Sequence, residues 1–157
     1  MVQEITANND NVQGKYGVVV SKYNDSITFR LLEGAVQTLT GAGVNEDDLV
    51  VVKVPGAWEL PVAAQRLAMR DDLVAVLCLG AVIKGETTHD QYINQQVSHS
   101  LGQLAIQYSK PVLFGLLTCN NMEQAIHRAG GNVGNKGEEC AQAALEMVSI
   151  LRQMDES

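Results

Sequence analysis

Between positions 79 and 89 the chain reads Leu79-Gly80-Ala81-Val82-Ile83-Lys84-Gly85-Glu86-Thr87-Thr88-His89. Glycine lets backbone N–H groups come close to a ligand, and the N–H groups that open a helix favour an anion. Threonine hydroxyls add hydrogen bonds, and a histidine can carry protons near neutral pH. His89 is therefore a candidate proton carrier beside a candidate anion site. The same residues also suit a plain turn between strand and helix with a polar cap.

Three further groups of residues could take part in the same chemistry. Lys22-Tyr23-Asn24-Asp25 follows one apolar run, Gly56-Ala57-Trp58-Glu59 follows a second, and Phe114 lies in a fourth that runs into Thr118. Singly, Tyr23 and Trp58 suit packing. Gathered at one edge, exposed rings suit a flat heterocycle, and a carboxylate such as Glu59 accepts from hydroxyl or N–H donors. Arg128 and Lys136 flank a glycine-rich stretch. Arg128 suits either a helix C-terminus or a bidentate phosphate contact. His99 and His127 read as surface or interface residues within helices, and the scattered histidines give no metal site. Neither Walker A spacing nor a dinucleotide fingerprint follows the first strand, so a nucleotide enzyme is not indicated.

The elements that must position these residues follow from periodicity. β-branched and apolar runs predict strands over 16–21, 49–54, 73–79 and 111–117. Apolar residues at helical spacing predict helices beginning near Ile27 and over 60–70, 90–108, 121–129 and 138–154, with a turn over 132–137. Asn24, Asp25 and Ser26 offer cap chemistry to the first helix. Strands that alternate with helices and are apolar on both faces predict a parallel sheet covered on two sides. The expected fold is a single-domain α/β three-layer sandwich, a four-stranded parallel sheet with helices on both faces, flavodoxin-like in outline. Ligands of such sheets bind outside the strands' C-terminal ends, near the switch in strand order. All the residues singled out after strands fall on that edge.

Composition removes several function classes. With 157 residues, 46% hydrophobic and 18% charged, the chain is long enough for one domain with its own core. Its net charge is −7, with eleven Lys and Arg spread along the sequence, so neither nucleic acid nor an anionic membrane is an expected partner. The longest apolar stretch is too short to span a bilayer, and residues 1–13 lack the pattern of a signal peptide. Cys78, Cys119 and Cys140 are odd in number and lack paired spacing, which suggests a reducing, cytoplasmic setting.

Four motifs together resemble the lumazine synthase family: Lys22-Tyr23-Asn24-Asp25; Pro55-Gly56-Ala57-Trp58-Glu59-Leu60-Pro61; the stretch 79–89; and Glu123-Gln124-Ala125-Ile126-His127-Arg128-Ala129-Gly130 followed by Gly134-Asn135-Lys136-Gly137. The resemblance covers about 14–152 and keeps the family's order and spacing. It implies a cofactor-free transferase that condenses 5-amino-6-(D-ribitylamino)uracil with 3,4-dihydroxy-2-butanone 4-phosphate to give 6,7-dimethyl-8-ribityllumazine, phosphate and water.

By position, the resemblance places Tyr23 against the pyrimidine with Asn24 beside it. Ala57, Trp58 and Glu59 would hold the ribityl chain, and Ala81, Val82, Ile83 and Phe114 would line the ring site. Glu86, Thr87, Arg128 and Lys136 would hold the butanone phosphate, and His89 would shuttle protons. Phe114, Arg128 and Lys136 would come from an adjacent subunit of a homo-pentamer, or of an icosahedral shell of twelve pentamers. Lys84 stands where many members have arginine. Glu86 stands where a small residue is common, so its backbone N–H is the expected phosphate contact. The segment 1–13 is expected to be separate from the α/β domain of 14–157 and able to add as an edge strand to a neighbour. An archaeal-type riboflavin synthase, a flavin carrier and a non-catalytic shell protein are the alternatives.

Overall fold

The computed structural model describes residues 1–8 and 10–157; Asn9, within the segment 1–13, lies outside the described residues. Four strands form a parallel sheet in the order β2-β1-β3-β4, where β1 is Lys15–Ser21, β2 Leu49–Val54, β3 Leu73–Ile83 and β4 Val112–Cys119. The chain steps from β1 to β2 on one side, then crosses back to place β3 on the other. The switch point therefore lies between β1 and β3.

Alternation along the strands builds the two cores. From β1, Tyr16, Val18 and Val20 face one side, and from β3 Ala75, Leu77, Leu79 and Ala81 join them. There they pack with Ile27, Leu31, Ala35 and Leu39 of helix α1 (Asp25–Gly41) and with Ala141, Ala144 and Val148 of the last helix, α5 (Lys136–Glu156). Val19, Val76, Cys78 and Val82 face the other side, against Leu60, Ala64 and Leu67 of α2 (Leu60–Ala68) and Val97 and Leu101 of α3 (His89–Tyr108). The result is the expected three-layer α/β sandwich. Burial on both faces holds for β1 and β3 but not for β2, whose Val51 and Lys53 are exposed because it forms the sheet's edge.

Two sequence expectations are corrected. β3 does not stop at Leu79 but runs on through Gly80 to Ile83, so Ala81, Val82 and Ile83 belong to a strand. Gly80 is a packing glycine: a Cβ there would meet Leu116 Cδ1 at 2.9 Å and Ser21 Oγ at 3.2 Å. The stretch 132–137 is not a simple turn. After α4 (Met122–Arg128), strands β5 (Ala129–Gly131) and β6 (Gly134–Asn135) pair antiparallel as a small hairpin, with Gly130 at φ 106° and Gly134 at φ 116°.

Asn135 then opens α5. Its side chain accepts from the N–H groups of Gly137 and Glu138 and donates to Arg30 O. Gly137 permits this docking, because a Cβ there would lie 1.8 Å from Leu31 O.

Thr6 and Asn8 of the N-terminal segment bond the far half of α5 of their own chain. Asn8 N donates to Ser149 Oγ at 3.0 Å, and Gln153 Nε2 donates to Thr6 O at 2.7 Å. Among the described residues, no helix is long and apolar enough to cross a membrane. All three cysteines are buried free thiols. Burial pushes each thiol up, Cys140 to about 11 despite the opposing pull of Lys136, so none is poised as a thiolate nucleophile.

Candidate active site

The C-terminal ends of β1, β2 and β3 surround a cleft of about 320 Å³. Tyr23 and Asn24 come from the exit of β1. Ala57, Trp58 and Glu59 come from a single 3₁₀ turn after β2. Ala81, Val82 and Ile83 come from the end of β3, followed by Gly85, Thr87, His89, Asp90 and Ile93. Tyr23 is 73% exposed and Trp58 58% exposed, so neither is held as a core residue. Their rings stand free at the mouth of the cleft, as stacking on a flat ligand requires.

Local backbone geometry accounts for each placement. Asn24 adopts a left-handed conformation, φ 63°, and ends β1 sharply before α1. Its side chain does not cap that helix but donates through Nδ2 to Ala81 O at 3.0 Å. On β3's far side, Lys84 N donates to Cys119 O at 2.8 Å, so pairing with β4 persists into the loop. Thr88 is the cap position of α3, yet it is the Thr87 hydroxyl that accepts the His89 N–H, at 3.3 Å. His89 is exposed at the first position of α3 and borders the cleft. Glu86 is exposed, does not line the cleft and makes no ion pair among the described residues.

Phe114, Arg128 and Lys136 lie elsewhere. They line a second cleft, about 490 Å³, along the outer flank of β4, with Thr118, Gln124, His127 and Val133. The hairpin explains why two cations separated in sequence meet there. Ala129 pairs with Asn135, which sets the flanking Arg128 and Lys136 side by side. Arg128 makes no ion pair among the described residues, and Phe114 is 41% exposed.

Among the described residues none lines both clefts, and the clefts' charges differ in sign. The first contains Glu59 and Asp90 and no lysine or arginine. The second contains Arg128 and Lys136 and no acid. A polyol or a ring rich in N–H donors suits the first, and a phosphate suits the second.

Gly85, from the glycine-bearing stretch, borders the first cleft. Asp90 and Ile93 also border it, and His127 the second, although the residues alone did not mark these three. An acid in a helix's first turn reads as complementing the dipole. His127 had its signal in its place directly before Arg128.

Residues 13–152 match the family model described as 6,7-dimethyl-8-ribityllumazine synthase. A curated 6,7-dimethyl-8-ribityllumazine synthase from Rhodopirellula baltica is 47% identical over 141 residues, 90% of this chain and 91% of that protein. Neither a riboflavin synthase-like enzyme nor a non-catalytic carrier or shell is favoured by these matches. The chain belongs to the 6,7-dimethyl-8-ribityllumazine synthase family.

Proposed function

We propose that this protein condenses 5-amino-6-(D-ribitylamino)uracil with 3,4-dihydroxy-2-butanone 4-phosphate, releasing 6,7-dimethyl-8-ribityllumazine, phosphate and water, the penultimate step of riboflavin synthesis. Family membership supports the reaction. The observation that carries the assignment of roles is the division of charge between the two clefts.

In this reading the ribitylaminouracil occupies the first cleft. Tyr23 stacks on the pyrimidine, with Asn24 fixing the strand end beneath it. Ala81, Val82 and Ile83 supply a wall of backbone and small apolar groups, and Ala57, Trp58 and Glu59 hold the ribityl chain. Glu59 accepts from its hydroxyls. The 5-amino group of the uracil attacks the ketone of the butanone phosphate and loses water to form an imine. Phosphate then departs with loss of a C–H proton to leave an enol, and the ribityl-bearing nitrogen closes the ring onto the carbonyl that the enol becomes, releasing a second water. His89, at the cleft's border, takes protons from the attacking nitrogen and returns them to the leaving oxygens. Most of the acceleration comes from holding two reactants in attack geometry.

The phosphate is held by Thr87 and the backbone N–H of Glu86 from one subunit, and by Arg128 and Lys136 from the next, with Phe114 closing the ring site. Two clefts without a shared residue support this division, since a bound pair of reactants needs both sets of groups. The functional unit is then a homo-oligomer, a pentamer at least, with twelve pentamers in a shell as the larger form. In the assembly the open edge of β2, with Val51 exposed, takes a neighbour's segment 1–13 as an added strand. This requires Thr6 and Asn8 to release the contacts they make with α5 in the single chain. Three unpaired thiols support a reducing, cytoplasmic location.

The test is to mix the purified protein with both substrates and follow lumazine absorbance together with phosphate release. Formation of both above the uncatalysed background is expected. A rate equal to that background overturns the proposal.

A further inference from the structure

Asp90 is the only charged side chain buried among the described residues, at 8% exposure. The other buried polar groups with long-range roles are satisfied: Thr28 Oγ1 donates to Ser21 O, Ser149 Oγ accepts from Asn8 N, and Asn135 bonds three backbone groups. Asp90 Oδ1 is sealed from solvent and has no hydrogen-bond partner, and no cation pairs with the carboxylate among the described residues. Buried carboxylate oxygens normally have donors, because an unpaired one forfeits its hydration without replacement. The start of α3 favours negative charge but supplies no donor to this oxygen.

One turn along α3, Asn94 Oδ1 is likewise buried without a partner. Residues four apart share a helix face, and an Asn amide can be turned end for end without changing its shape. Turned that way, Asn94 offers Asp90 a donor on the helix side. The carboxylate keeps acceptor capacity for a second donor, and Asp90 forms part of the wall of the first cleft.

We propose that Asp90, oriented by Asn94, is a recognition residue of this cleft that accepts a hydrogen bond from an N–H or O–H group of the ribitylaminouracil. The inference rests on the function proposed above and assigns a further residue to that site. The donor is assigned to this substrate because Asp90 and Glu59 line the same cleft, and two carboxylates there suit a ring and polyol rich in donors.

Calorimetric titration of the assembled protein with 5-amino-6-(D-ribitylamino)uracil alone, with steady-state kinetics alongside, tests this. Asp90→Ala should weaken binding of that substrate about 10- to 100-fold, as loss of a hydrogen bond to a charged group does. Asp90→Asn should weaken it by roughly threefold to tenfold, since an amide oxygen still accepts, and Asn94→Ala by a similar factor through lost orientation. The KM for the butanone phosphate should stay within about twofold of wild type, because the proposal gives Asp90 no contact with that ligand. The melting temperature should stay near wild type, because losing the Asn94 contact is offset by removing a buried carboxylate whose cleft-side acceptor is unsatisfied in the free protein. Unchanged affinity in an active Asp90→Ala protein overturns the proposal. So does an equal rise in both KM values with a lowered melting temperature, the signature of a purely structural residue. Should Asp90→Ala fail to fold, Asp90→Asn decides, and unchanged affinity there overturns the proposal too. Wild-type protein that forms no lumazine would instead refute the proposed reaction.

Discussion

Asn24 donates its side-chain amide to the carbonyl of Ala81 at 3.0 Å, joining the exit of β1 to the end of β3 across the switch point. This one bond crosses the floor of the cleft between the residue after Tyr23 and the wall formed by 81–83. Asn24→Gly keeps the left-handed backbone and loses only the bond, which should lower stability by about 1 kcal/mol. Asn24→Asp sets an acceptor against an acceptor and should cost more, about 1–3 kcal/mol. Chemical denaturation of both variants measures the difference. If the aspartate variant is as stable as the glycine variant, the bond does not hold the strands' spacing.

His89→Ala should slow turnover while leaving ribitylaminouracil binding nearly unchanged, because His89 borders the cleft without closing it. General acid–base help typically contributes on the order of 10²–10⁴, and an amine attacking a ketone needs the low end of that range or less. Single-turnover rates give the answer. A loss beyond roughly 10⁴ would mean that positioning contributes less, and proton transfer more, than argued above.

Much of this site could be read from the chain because its parts are local. Tyr23, Trp58 and His89 each follow a strand, and a parallel sheet collects strand ends on one edge whatever the strand order. The misreadings came from tertiary packing. Gly80 looked like a loop residue, but it lies within a strand where Leu116 leaves no room for a side chain. The hairpin that brings Arg128 and Lys136 to one cleft has strands of three and two residues, too short to show a period. In the sequence Asp90 stands merely at the start of a helix, and only the packed structure shows that it is buried. Nor do the residue types alone reveal that Phe114 and His89 line separate clefts.

Tyr16 ties stability to alkaline pH. Its ring is fully buried, its hydroxyl donates to Val12 O at 2.7 Å, and burial pushes the phenol up to about 12, with Arg152 pulling the other way. An unfolded tyrosine ionises near pH 10, so between about 10 and 12 the unfolded chain loses a proton that the folded chain keeps. Tyr16 thus contributes its full stabilisation below about pH 10 and loses it as pH rises towards 12, roughly 2–3 kcal/mol in all. Tyr16→Phe should cost about 1 kcal/mol at pH 8 and flatten the alkaline fall. Denaturation midpoints from pH 8 to 11.5 test the sign; equal slopes for both proteins would remove Tyr16 as the cause.

Gly137→Ala should disturb the second cleft from beneath. Its Cβ would fall 1.8 Å from Leu31 O, so the start of α5 must shift off α1 and carry Lys136 with it. Overpacking of this kind costs about 1–3 kcal/mol, and backbone-to-side-chain clashes sit at the upper end. Butanone phosphate KM should rise along with the loss in thermal stability, while the KM for ribitylaminouracil changes little. A variant with wild-type melting temperature would show that α5 can tilt freely at its first turn.

The division of the site between subunits can be tested with two impaired proteins. Arg128→Ala alone should raise the KM for butanone phosphate far more than for ribitylaminouracil, since it removes a charged, bidentate-capable group from the basic cleft only. Co-expressing Arg128→Ala chains with His89→Ala chains then produces mixed assemblies. If the acidic cleft of one subunit works with the basic cleft of its neighbour, some sites receive an intact His89 from one chain and an intact Arg128 from the other. With random mixing in equal amounts, about a quarter of the sites regain both, because each half is intact with even odds. If both clefts served a site within one chain, every chain would carry one defect, and mixing would restore nothing. Activity of the mixture against the mean of the two parents separates these cases. Light scattering on the same samples reports whether the active particle is a pentamer or a shell. A fully active wild-type monomer would refute the shared site outright, whereas an active free pentamer would refute only the shell.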